Sequence, residues 1–236
     1  MSILQQLIEW DKELLLFLNS IHTPFGDKFM WVYTGKYTWI PLILSLLFVL
    51  FRKNWKEALL VCVAVAITIT CCDQFASTLC KPYFARLRPA RDPELSEFVQ
   101  IVNGYRGGRY GFISSHAANS FGAVVLLSMI FRNKFFAVTS LLWAIVNCYS
   151  RIYLGVHYPG DILAGIISGT IIAVIICIVL NGFRSFFLNK KFLNNRESPY
   201  IKDPDIRITT GVIYLSVLCI AVSVSYTHLT LPTSDL

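Results

Sequence analysis

The sequence predicts an all-α fold: a polytopic membrane helix bundle of about six spans, preceded by an amphipathic helix lying in the interface. Three observations carry this expectation. Of the 236 residues 55% are hydrophobic and only 15% charged, against about 25% charged in soluble domains. The apolar residues come in long runs, and a bilayer-spanning helix needs roughly 20 of them. The Lys and Arg residues sit between those runs, where topology signals and anionic headgroups use them. That placement also argues against nucleic acid as a partner despite the net charge of +7, because the basic patches are broken up.

The elements follow in order. Residues 1–25 alternate apolar positions (Leu4, Leu7, Ile8, Trp10, Leu14, Leu15) with Glu9, Asp11, Lys12 and Glu13. The polar cluster rules out a span and interrupts any signal-peptide core, so no cleavable leader is expected. The spacing fits a helix in the interface or one packed on the rest of the protein. Residues 26–224 form the membrane-embedded domain. Its apolar runs cover about 38–51, 58–80, 117–131, 135–149, 162–180 and 208–224. Trp31, Tyr33, Tyr37 and Trp39 read as an interfacial aromatic belt. Residues 225–236 turn polar and cut the last run short. They resemble translated adapter sequence, and an ordinary disordered tail is the other reading. Seven cysteines show neither metal-ligand spacing nor a disulfide pattern, and read as small hydrophobes.

If the runs alternate across the bilayer, Arg52, Lys53, Lys56, Arg132, Lys134 and the 184–207 stretch share one side. The positive-inside rule makes that side cytoplasmic. The segment 81–111 and the turn 151–160 then share the outer side. Three clusters lie on that face: Lys81 to Pro89, Ser114-Ser115-His116, and Ser150 to Asp161.

Their residue types suit one task. Lys81, Arg88 and Arg151 can donate charge-assisted hydrogen bonds to a phosphate. Ser114 and the backbone N–H groups of Ser115 and His116 stand where a helix begins, a natural anion site. Asp161 lies four residues after His157, close enough to hold one imidazole nitrogen and leave the other free to attack. His116 can protonate a leaving oxygen. Asp73, inside an apolar run, needs a partner: Lys81, an arginine, or a hydrogen bond within the bundle. Arg86 and Arg91 either steer headgroups or are solvated. The stretch 105–111 is a substrate lid or, more simply, a flexible loop.

The clusters resemble the three signature motifs of the type 2 phosphatidic acid phosphatase family, which shares its site with vanadium haloperoxidases. Lys81, Arg88 and Pro89 match Lys-x6-Arg-Pro, and Ser150, Arg151, His157 and Asp161 match Ser-Arg-x5-His-x3-Asp. The middle motif, Pro-Ser-Gly-His, departs: Ile113 replaces Pro and Ser115 replaces Gly, while Ser114 and His116 are kept. The likeness spans about residues 58–180. It implies a phosphohistidine at His157, oriented by Asp161, with His116 as acid and then base. In that scheme Lys81, Arg88, Ser114, Ser115 and Arg151 hold the phosphate, with no metal or other cofactor. The implied substrate is a lipid phosphate in the bacterial inner membrane, met on its outer face. Undecaprenyl pyrophosphate is the first expectation, with phosphatidic acid, phosphatidylglycerol phosphate and lipid A phosphate as alternatives. A vanadate-dependent haloperoxidase would require a large soluble scaffold that is not evident. A transporter or lipid-binding protein would place charges near mid-membrane rather than at one face.

Overall fold

The computed structural model describes residues 2–35, 37–188 and 205–230. Helix α1 (Ile3–Asn19) starts at a capping box in which Ser2 and Gln5 satisfy each other's backbone N–H groups. Next come α2 (Pro24–Tyr33), opened by Thr23 with proline at its first position, and α3 (Ile40–Lys53). Helix α4 (Trp55–Gln74), capped by Asn54, runs through a π-helical turn over Phe75–Cys80 into the short α5 (Lys81–Phe84). Ala85, left-handed at φ 45°, stops it. Three helices follow the outer segment: α6 (Ser115–Phe131), α7 (Lys134–Tyr153) and α8 (Pro159–Leu188). The chain ends in α9 (Ile206–Thr230), and no strand forms among the described residues.

Each of the six apolar runs is a helix. Four, Trp55–Phe84, Lys134–Tyr153, Pro159–Phe186 and Ile206–Tyr226, are long and apolar enough to cross a membrane. The apolar stretches Ile40–Arg52 and Ser115–Phe131 are shorter. The last helix continues to Thr230, past the point where the sequence turns polar, and residues 231–236 fall outside the described residues.

Helices α4, α6 and α8 form the centre. Gly165 and Gly169 let α8 lie against the start of α6. A Cβ on Gly165 would stand 2.6 Å from the Ser114 carbonyl oxygen, and one on Gly169 would strike the Ala118 backbone. Small residues four apart are how membrane helices bring their backbones close. One apolar cluster (Val49, Leu126, Phe131, Phe136, Cys177) fills the end opposite the three motif clusters. A second (Leu15, Phe121, Ala144, Tyr158, Ile162) lies beneath them and takes in α1.

Two expectations change here. Tyr33 and Trp39 are buried core residues that meet edge to face, and Trp39 meets Trp143 in the same way, whereas Trp31 and Tyr37 stay exposed. Only half of the supposed belt therefore faces outward. Arg184, counted among the basic residues of the cytoplasmic side, is fully buried and pairs with both carboxylate oxygens of Glu57 at 2.9 Å. It ties α8 to α4, as an ionisable group inside an apolar bundle requires.

Candidate active site

Each motif cluster sits at a helix end, and the bundle brings those ends together. Tyr158 precedes α8, and Asp161 stands in its first turn. The Asp161 Oδ2 accepts the Tyr158 backbone N–H at 3.1 Å and faces His157 Nδ1 at 3.3 Å. A carboxylate only accepts, so Nδ1 carries the ring proton and Nε2 keeps its lone pair. On that other side Arg88 Nη1 lies 3.3 Å from Nε2. The Asp161 backbone carbonyl takes the Ser114 N–H at 3.0 Å, which binds the start of α8 to the start of α6. Ser114 is fully buried, and its Oγ caps α6 by accepting from the Ala117 N–H at 3.4 Å. Its own hydroxyl proton can still be donated. His116, the second residue of α6 and exposed, stands within electrostatic reach of Arg151, His157, Arg88 and Lys81.

The π turn ends at Lys81. The Lys81 Nζ donates to Ser115 Oγ at 2.7 Å and to Ser77 Oγ at 3.1 Å, and Ser77 donates to Asp73 at 3.3 Å. Asp73 thus acts on Lys81 through Ser77. The Ser115 side chain, which has no counterpart in a Pro-Ser-Gly-His motif, is committed to Lys81. Arg88 is held by the carbonyls of Tyr110 and Val156, at 3.1 and 3.3 Å. Arg151 reaches the hydroxyls of Thr34 and Tyr105, at 2.9 and 3.4 Å.

These bonds share a feature. Lys81, Arg88 and Arg151 form no ion pair with a carboxylate among the described residues, although Arg88 and Arg151 are buried. The buried Nε of Arg151 has no hydrogen-bond partner at all. Buried charges are normally paired, as are the buried Arg184 with Glu57 and the buried Asp161 with Arg86. Three convergent cations without a carboxylate partner are the arrangement that suits an anion. Burial, then the charges of Arg88, Arg151 and Lys81, push His157 well below the usual histidine range, while a backbone hydrogen bond at Gly111 pulls the other way. At neutral pH the ring is therefore uncharged.

The structure brings together His157, Asp161, His116, Lys81, Arg88, Ser114, Ser115 and Arg151, and it adds residues the sequence did not signal. Thr34 and Tyr105 anchor Arg151, from segments distant in the chain. Arg86 is not merely solvated, since it pairs with Asp161 at 3.0 Å and Asp11 at 2.7 Å. Arg91 holds the Gly107 carbonyl with two donors, at 3.2 and 2.8 Å. The 105–111 stretch is correspondingly strapped down: Leu87 bridges Tyr110, and the Gly111 N–H donates to the Arg86 carbonyl at 2.8 Å. A plain flexible loop does not describe it.

A bundle of apolar helices that gathers unpaired cations around a carboxylate-oriented histidine is the architecture of a membrane protein made to hold an anion beside that ring. The chain belongs to the PAP2 superfamily, which residues 57–185 match, and it is a membrane lipid phosphatase of that type. It is 40% identical over 221 residues to a lipid A 4'-phosphatase of Bacteroides thetaiotaomicron, covering 89% of this chain and 94% of that one. A lipid A 4'-phosphatase of Porphyromonas gingivalis is 39% identical, over 88% of each chain. An undecaprenyl-diphosphatase of Sulfolobus acidocaldarius is 29% identical, over 70% of this chain and 76% of its own. Among solved structures, the fold is similar to a transmembrane PAP2-type phosphatidylglycerolphosphate phosphatase from Bacillus subtilis. The TM-score there is 0.58 and the identity 18%, over 77% of this chain and 88% of that one.

Proposed function

We propose that the protein hydrolyses the phosphate monoester of a lipid headgroup, lipid A 4'-phosphate being the favoured substrate, through a covalent phosphohistidine. The observation that carries this reading is the set of three cations without carboxylate partners beside the free nitrogen of a carboxylate-oriented histidine. Lys81, Arg88, Arg151, the Ser114 hydroxyl and the first N–H groups of α6 hold the phosphate oxygens. His157 Nε2 attacks phosphorus, the bond to the lipid oxygen breaks, and His116 gives that oxygen its proton. Asp161 stabilises the positive charge that grows on the ring. Water then attacks the phosphohistidine, His116 takes its proton, and inorganic phosphate leaves.

The relatives at 39–40% identity support lipid A 4'-phosphate ahead of undecaprenyl pyrophosphate, whose phosphatase relative is more distant. The cations at the α3–α4 and α6–α7 junctions support a cytoplasmic position for that end. The site then faces the periplasm from the inner membrane. We read residues 1–25 as the interfacial segment and 26–224 as the catalytic domain.

Phosphate release by the purified protein from a panel of lipid A, undecaprenyl pyrophosphate, phosphatidic acid and phosphatidylglycerol phosphate tests the reading. The expected result is preference for lipid A, and a loss of at least about a thousandfold in His157→Ala. Near-normal turnover by that variant would falsify the nucleophile assignment. A preference for undecaprenyl pyrophosphate would reverse the substrate order and leave the chemistry standing.

A further inference from the structure

Helix α1 contributes no residue to the phosphate cage, yet it is bolted to the back of it. The Asp11 carboxylate uses both oxygens. Oδ1 accepts the Gly160 backbone N–H at 2.7 Å, in the first turn of α8, and Oδ2 accepts Arg86 Nη2 at 2.7 Å. The other arm of the same guanidinium, Nη1, donates to Asp161 Oδ1 at 3.0 Å. The Arg86 plane lies over the Tyr158 ring at 3.8 Å, and the Tyr158 hydroxyl donates to Asp92 at 2.9 Å. Lys12, next to Asp11, pairs with Glu94 at 2.9 Å. Fit is close at the α8 end: a Cβ on Gly160 would stand 2.8 Å from the Asp11 carboxylate. The chain of contacts thus runs from α1 through Asp11 and Arg86 to Asp161 and His157.

We propose that Asp11 and Arg86 are positioning residues that set the Asp161–His157 pair, so that an interfacial helix outside the motif-bearing core governs turnover. The inference rests on His157 being the nucleophile. Asp161 has two oxygens: Oδ2 faces the imidazole and takes the Tyr158 N–H, and Arg86 donates to Oδ1 and so fixes the plane of the carboxylate from its other side. A planar fork with two donors can bridge two carboxylates, which a single ammonium does less well. Asp11 completes the bridge and adds a negative charge at the N-terminal end of α8, where the helix dipole favours it. Because neither residue touches the phosphate cage, their loss falls on kcat and leaves KM little changed.

The test uses the full-length protein in mixed micelles with lipid A. Arg86→Ala and Asp11→Asn each lower kcat by about 10–100-fold, with KM within about threefold. Guanidinium added in solution restores a large part of the Arg86→Ala loss, since the Arg86 side chain is 26% exposed and its site is reachable. It restores nothing to His157→Ala. Combining Arg86→Ala with Asp11→Asn costs little beyond the worse single change, because both break one chain of contacts. Arg86→Lys, which keeps the charge and the fold, retains more kcat than Arg86→Ala. Wild-type kcat in Arg86→Ala, no rescue by guanidinium, losses carried by KM, or losses that multiply in the double variant would each overturn the inference. An inactive His157→Ala beside an active Arg86→Ala would overturn it while leaving the nucleophile assignment intact.

Discussion

At His157 the decisive facts are which nitrogen is held and which charges surround the ring. Asp161 holds the Nδ1 side and Arg88 stands at Nε2. Burial and three neighbouring cations keep the ring from taking a second proton. The sign follows: a depressed histidine is neutral at pH 7 and protonates only as the pH falls well below 6.5. A histidine NMR titration of the unliganded protein in detergent should leave the His157 ring unshifted from alkaline pH down to 6.5, and a midpoint at or above that value would contradict the geometry. Ser115 is the other residue to test, because its hydroxyl oxygen accepts from Lys81 Nζ at 2.7 Å. Ser115→Gly makes this position match the family motif and frees Lys81. A hydrogen bond to a charged group is worth roughly 1.5–3 kcal/mol, so kcat/KM should drop by about tenfold or somewhat more. An unchanged or increased kcat/KM would show that Lys81 needs no second anchor.

At the scale of elements, the site is a product of helix ends. Ser114 caps α6, Asp161 in the first turn of α8 takes the N–H of Tyr158 just before that helix, and the π turn after α4 delivers Lys81 to the serine that begins α6. The registry between α6 and α8 decides whether Ser114 and His116 face His157, and Gly165 and Gly169 set it. Gly169→Val would push a side chain into the Ala118 backbone. The expected cost is about 1–3 kcal/mol of stability, read as a lower melting temperature in detergent. A fall in kcat should accompany it even well below the melting transition, as α6 is displaced from α8. A variant that melts lower yet turns over normally would show that registry is not what aligns the two histidines. The sequence placed these helices well, because each is a long apolar run ended by a cap or a charge. It did not reveal that α1 reaches the site through Asp11, since nothing in an amphipathic pattern says which acidic residue will meet which distant arginine.

For the whole molecule, direction in the bilayer matters most. The cage lies at one end of the bundle and the Arg52/Lys56 and Arg132/Lys134 junctions lie at the other. A cysteine placed at Asn133, in a background without the native cysteines, should react with an impermeant reagent only from the cytoplasmic side. One placed at Asn103 should react only from the periplasmic side. The reverse pattern would put the cage in the cytoplasm and remove periplasmic lipid phosphates from consideration. Hydropathy alone signalled the membrane, and the spacing of charges suggested the direction.

By itself the sequence determined the all-helical membrane architecture and the six apolar helices, and it singled out the eight residues proposed for the site. Those properties are local: an apolar run, a helix start, a four-residue spacing and three short motifs are all readable in one dimension. Tertiary structure alone decided the partners. It set Ser115 on Lys81, Tyr105 and Thr34 on Arg151, and Arg86 between Asp161 and Asp11. It also moved Arg184, Tyr33 and Trp39 from the surface into the core. The physical reason is that a buried charge takes whichever partner the packing of distant helices brings within reach. Among the described residues packing brings no carboxylate into an ion pair with Lys81, Arg88 or Arg151, and on that observation the proposed phosphate site rests.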